Sequence, residues 1–255
     1  MISILESIGN VFLNLFKNIG GLLGLSVILP FLLVALRFNK NSFFHNLNKF
    51  GIKLLPWILF LSFISALILA FVADSVVNLS GSLTLFGKFY TYLLLTKIIP
   101  LLFALIYVFF TGINIAYYQV TPDNTIDFFS DKKPENLYYD YLTPSFGAIF
   151  ISYILLFAVF QISVFIFTTV FTSTITNMNL SEFWKYFYNE FMPVYFLSSL
   201  FKSVFFAFAN ALIITYFGVI TTKKQQISKA VTSVLSYSFI LILLTDLAIT
   251  YVKYN

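Results

Sequence analysis

The stretch KIIPLLFALIYVFFTGINIAYYQV (Lys97–Val120), followed by TPDNTIDFFSDKKPENLYYDYLTP (Thr121–Pro144), decides how the chain is read. Its first half is an apolar run of membrane-helix length, entered through a lysine and a proline. In hydrocarbon a charge and a missing N–H both cost free energy, so Lys97 and Pro100 call for a partner or a cavity. The second half carries Asp123, Asp127, Asp131, Glu135 and Asp140, half of the ten acidic residues in the protein. Polarity so concentrated in so apolar a chain reads as a docking loop, not a passive connection.

Working outward, hydrophobic residues make up 60% and charged residues 10% of the 255, with a mean hydropathy of +0.92. Soluble domains carry roughly a quarter of charged residues, so the chain reads as an all-α integral membrane protein. Long apolar runs, in place of short alternating ones, exclude a barrel. The length suits one helical membrane domain, since each span needs about 20 apolar residues. The absence of cysteine removes disulfides and thiolate metal sites, and the single His45, read as an interface residue, leaves little for zinc. The formal charge of +5 is scattered through short loops beside apolar spans, which fits orientation in a membrane better than nucleic acid. No nucleophile elbow, metal-binding helix motif or phosphate-binding glycine loop is present. The chain is therefore read as a non-enzyme with no cofactor or metal of its own; any ATP-driven work falls to a separate subunit.

From the N-terminus, Ile2, Leu5, Ile8, Phe12, Leu15, Phe16 and Ile19 recur at helical spacing with polar residues between them. Residues 2–28 are expected to form a retained interfacial amphipathic helix. The run Leu25–Phe38, broken by Pro30, is too short to span comfortably and is expected to be half-embedded. Asn41 and Ser42 are the expected caps of a helix carrying His45, Asn48, Lys49 and Lys53 into the first span, 54–77. That span bears a small-residue stripe, Ser62, Ala66, Ala70 and Ala73, suited to close helix packing. Further spans are expected at about 83–119, 146–172, 193–217 and 231–252, with a short surface helix starting at Ser181. Placing the acidic loop in the cytoplasm puts Lys17, Arg37, Lys40, Lys49, Lys53, Lys132, Lys133, Lys223, Lys224 and Lys229 inside and only Lys88, Lys185 and Lys253 outside. The positive-inside rule favours that orientation, with the N-terminus cytoplasmic and the C-terminus on the far side.

The C-terminal third carries a resemblance. LFKSVFFAF (Leu200–Phe208), YFG (Tyr216–Gly218) and ISKAVTSVLSYSFILILLTDLAIT (Ile227–Thr250) resemble, in order and spacing, the KS…F, G, GxAT…V…S…D…T succession of the MlaE/YrbE permeases. Pro100 and Gly112 stand where that family has the Pro of its ELGP and the second Gly of its GRxG, and Pro144 matches the Pro of its PR. The charged signature departs: Lys97, Phe110, Tyr118 and Ser145 replace the family's Glu, Arg, Glu and Arg, and Asn124–Thr125 its Glu–Gln. A fast-evolving permease and the weaker half of a heterodimer both fit.

The resemblance implies a single permease domain over 1–255, with an interfacial region at 1–40 and a transmembrane bundle at 41–255 carrying a cytoplasmic coupling loop at 121–144. It further implies a bacterial inner-membrane ABC transporter: a homo- or heterodimer of permeases, a cytosolic ATPase dimer that binds the ATP, and a periplasmic Mce-domain carrier of phospholipid or another hydrophobic molecule. On that basis Lys97, Pro100, Ala104, Tyr107 and Gly112 are candidates for a lipid cavity between protomers. Asp123, Asn124, Ile126, Asp127, Phe128 and Phe129 are candidates for ATPase coupling, in a helical turn near Thr125–Ser130. Lys202 and Asp246 lie at depths that agree to within roughly 5 Å at about 1.5 Å per residue, which makes them a candidate structural ion pair. The alternative class is an ion-coupled carrier or channel with Lys97, Lys202 and Asp246 as its relay.

Overall fold

A computed structural model describes residues 2–35, 37–80, 96–118, 138–175, 193–220 and 227–254. Among these residues all regular structure is helical. The helices are α1 (Ile2–Val34), α2 (Lys40–Phe50), α3 (Leu55–Ser80), α4 (Ile99–Tyr118), α5 (Thr143–Ile175), α6 (Pro193–Ile220) and α7 (Ile227–Tyr254). Five stretches are long and apolar enough to cross a membrane: Lys17–Val34, Lys40–Val72, Tyr138–Ile175, Tyr195–Gly218 and Val231–Tyr251. The second expected span is described only from residue 96, and its part Thr96–Gly112 is shorter than those. The expected surface helix at Ser181 and coupling turn at Thr125–Ser130 lie outside the described residues.

Two expectations are corrected. The helix expected at residues 2–28 does not end before the run Leu25–Phe38; α1 continues through Pro30 to Val34 as one helix. Pro30 removes one backbone hydrogen bond within the last turns, which an apolar helix of this length tolerates. Nor does one helix run from Asn41 into the first span. Asn39 is the cap, its Oδ1 accepting from the N–H groups of Asn41 and Ser42, and α2 stops at Gly51. A short 3-10 turn, Ile52–Leu54, then leads to α3.

Gly51 is required at that break, because a Cβ there would lie 2.6 Å from the Leu47 carbonyl oxygen and 2.9 Å from Ser152 Oγ. Gly51→Ala is therefore expected to lower stability in detergent by about 1–3 kcal/mol, the usual penalty of overpacking. Gly24→Ala, where a Cβ meets nothing within 4 Å, is the control and is expected to be neutral or slightly stabilising. Comparing their thermal unfolding midpoints checks both.

α5 is the centre, in contact with α1, α2, α3, α4 and α6. The stripe on α3 is used against it: Ser62, Ala66 and Ala70 are fully buried, and α3 makes its helix-to-helix packing with α5. Phe63 at the edge of that seam meets Phe167 and Phe171 edge-on. α4, α6 and α7 pack on one another, with Gly112 opposite Val234 at one level and Lys97 against Thr250 at another, so α4 and α7 are antiparallel. α1 lies over α5 and α6, with Gly21 against the Tyr216 ring and Leu33 against Gly147.

Candidate functional site

Two groups of interacting polar side chains lie at opposite ends of the bundle. At the end where α7 finishes, α7 presents Asp246 and Thr250 four residues apart, hence on one face. The Lys202 ammonium of α6 forms an ion pair with the Asp246 carboxylate, the two side chains being 4% and 21% exposed. Lys97, in the wide helical turn that leads into α4, donates to Thr250 Oγ1. Lysines from two different helices thus converge on one face of α7 and tie α4, α6 and α7 together. An unpaired charge costs about 2.5–3.5 kcal/mol at the centre of a membrane helix on insertion scales and less toward its ends, a cost that the Lys202–Asp246 pairing offsets.

The other candidate cavity residues are dispersed. Lys97 is half-buried at the bundle end, whereas Pro100 and Gly112 are buried between helices. Ala104 and Tyr107 are fully buried inside this one chain. The Tyr107 hydroxyl donates toward the carbonyls of Phe50 (3.4 Å) and Ile149 (3.2 Å), and its ring packs edge-on against Tyr153. Phe103, one turn earlier, meets Tyr153, Phe157 and Phe160 with centroids 5.0–5.4 Å apart. Ala104 and Tyr107 therefore have no surface to offer a cavity between protomers; they are the seam where α4 meets α5. Its hydroxyl is satisfied by two backbone carbonyls, one beside the Gly51 break and one on α5.

At the opposite end, the start of α5 is built on a wide turn, Tyr138–Leu142, and bonded to the α1–α2 elbow. Asn39 donates from its backbone N–H to the Tyr139 carbonyl and from Nδ2 to Asp140 Oδ1, and Asn46 Nδ2 donates to Ser145 Oγ. The coupling candidates Asp123, Asn124, Ile126, Asp127, Phe128 and Phe129 precede this turn and lie outside the described residues. Sequence reasoning missed Asn39 and Asn46 as site residues, although an asparagine just before α2 and another on it carried the signal. It also missed Gln161 of α5 and Asn210 of α6, fully buried amides whose side-chain atoms meet no hydrogen-bond partner among the described residues. A lone amide inside an apolar run was their signal.

No curated protein matches the chain. The family model described as Permease MlaE matches residues 138–252, which run from the wide turn before α5 to the last turns of α7 and include the Lys202–Asp246 pair. The multi-pass helical architecture agrees with that match, and over residues 138–252 the chain is similar to the MlaE permease family.

Proposed function

We propose that this chain is the permease subunit of an ABC transporter that moves phospholipid or another hydrophobic molecule between the inner membrane and a periplasmic Mce-domain carrier. ATP is bound and hydrolysed by a separate cytosolic ATPase dimer, and a second permease, identical or homologous, completes the membrane part. The observation that carries this reading is the family match across α5, α6 and α7. The Lys97 environment supports it: a neutral hydroxyl partner leaves the ammonium its full charge, suited to an anionic headgroup brought to the bundle end. In this reading Pro100 and Gly112 shape the helix that presents Lys97, and Asp123–Phe129 dock on the ATPase. The relay alternative is less well supported, because Lys202 and Asp246 are closed on each other and Lys97 on Thr250.

Purification of the intact complex in mild detergent tests the reading. An ATPase subunit and bound phospholipid are expected to accompany the chain. Charge reversal at Asp127 combined with Phe128→Ala is expected to cut ATPase recovery by roughly tenfold or more, the effect of losing about 1.4 kcal/mol at an interface anchor. Unchanged recovery of the ATPase counts against the coupling assignment, and a chain that purifies without any ATPase counts against the transporter.

A further inference from the structure

Three ionisable side chains meet at the end of the bundle where α7 finishes, and their charges do not balance. Lys202 is paired with Asp246, while Lys97 donates to the neutral Thr250 hydroxyl one turn further along α7. Two ammonium groups thus share one carboxylate, a surplus of one positive charge. The other carboxylates among the described side chains are engaged elsewhere or sit on another helix. Asp140 is bonded to Asn39 at the opposite end, and Asp74 is on α3, whose helix packing is with α5. Lys97 is half-buried, so water screens its charge only in part. A charge in that position draws a counter-charge from whatever the bilayer offers.

The surroundings of Lys97 favour one kind of counter-charge. Leu243, Leu247 and Tyr251 form an exposed apolar row on α7 next to the face that carries Asp246 and Thr250, and Ile98 and Leu102 are exposed on α4. A small free anion would meet the ammonium but not that apolar surface, whereas an amphiphile meets both. A zwitterionic headgroup brings its own cation, which leaves the surplus uncancelled and finds Asp246 already taken by Lys202. A headgroup of net negative charge cancels the surplus and needs no carboxylate. We propose that this end of the bundle selects phospholipids of net negative charge over zwitterionic ones, a proposal that rests on the reading of Lys97 as a headgroup contact. Lys97 is the selecting residue, and Lys202 serves the selection by holding Asp246 away from it.

The test reconstitutes the intact complex in vesicles of equal parts phosphatidylglycerol and phosphatidylethanolamine, re-extracts it in mild detergent and weighs the retained lipids by mass spectrometry. Phosphatidylglycerol is expected to be enriched about fivefold over the vesicle ratio, the effect of one lysine near an anionic lipid. Lys97→Gln removes the charge but keeps a donor for Thr250, and is expected to return the retained lipid to the vesicle ratio. Thr250→Asp keeps Lys97 but gives it a carboxylate, and is expected to do the same. Lys97→Arg keeps the charge and is expected to keep the enrichment, which a merely structural role for the lysine would not predict. Because Lys97→Gln and Thr250→Asp alter different helices, a folding defect in one leaves the other to be read. Enrichment that survives both variants overturns the proposal, since the lipid then gathers at other lysines. Loss of enrichment in Lys97→Arg overturns it too, as does displacement of phosphatidylglycerol by free glycerol phosphate, which would make the site one for small anions. Lipid retained by the unaltered complex at the vesicle ratio overturns the selection and leaves the transporter reading standing. An unaltered complex that retains no lipid removes the headgroup contact and the selection together.

Discussion

Lys202→Met and Asp246→Leu are each expected to destabilise the protein in detergent by about 3–5 kcal/mol, because each leaves one buried charge without its counter-ion. The double variant is expected to recover much of that loss, since two apolar side chains of similar volume carry no desolvation penalty at the same site. The figure belongs toward the lower end for Lys202→Met, where Asp246, 21% exposed, can still reach some water. Lys202, 4% exposed, has far less water within reach when Asp246 is lost. A double-mutant cycle on thermal or denaturant unfolding reads the coupling directly, and strictly additive effects would show that the pair contributes nothing as a pair. The same variants are expected to loosen Lys97 as well, because Asp246 and Thr250 share the face of α7 to which both lysines bind.

Tyr107→Ala is expected to cost about 3–5 kcal/mol, the usual range for removing a large aromatic from a closed core. The ring is fully buried and packs between Phe103 and Tyr153, so the vacated space has no solvent to fill it. Tyr107→Phe separates packing from hydrogen bonding: it keeps the ring and frees the Phe50 and Ile149 carbonyls, for a loss of about 1 kcal/mol. Unfolding midpoints of the two variants in one detergent give the comparison. A small loss for Tyr107→Ala, with lipid retention altered instead, would return Tyr107 to the lining of a cavity.

The spans were legible because their physics is local. Unbroken apolar runs set α5, α6 and α7 within a few residues of their observed ends, and the small-residue stripe of α3 follows from one helix considered alone. The Lys202–Asp246 contact was also legible, since two charges at equal depth on consecutive antiparallel helices have few other places to go. The break at Gly51 was not, because the apolar pattern continues across it and only the approach of Ser152 from α5 shows why a glycine stands there. The burial of Tyr107 and Ala104 in the α4–α5 seam was not legible for the same reason. An apolar helix presents the same residues whether its inner face meets a lipid or another helix, and the difference lies in α5, more than forty residues downstream. Asn39 was passed over for its neighbours Asn41 and Ser42, all three being good caps by type; the partner that selects it, Asp140, is distant in sequence.

The seat of α1 has a mechanical consequence. An amphipathic anchor held only by the partition of its greasy side chains drifts and rolls in the plane of the bilayer. α1 is instead keyed: Asn18 is clasped by two tyrosine hydroxyls, and Gly21 lets the Tyr216 ring lie where any side chain would stand. Its outward flank, with Leu23, Val27 and Phe31 exposed, remains in the grip of the surrounding acyl chains. α1 therefore cannot roll about its own axis without breaking those contacts, so its rotation is tied to that of α6 and α7.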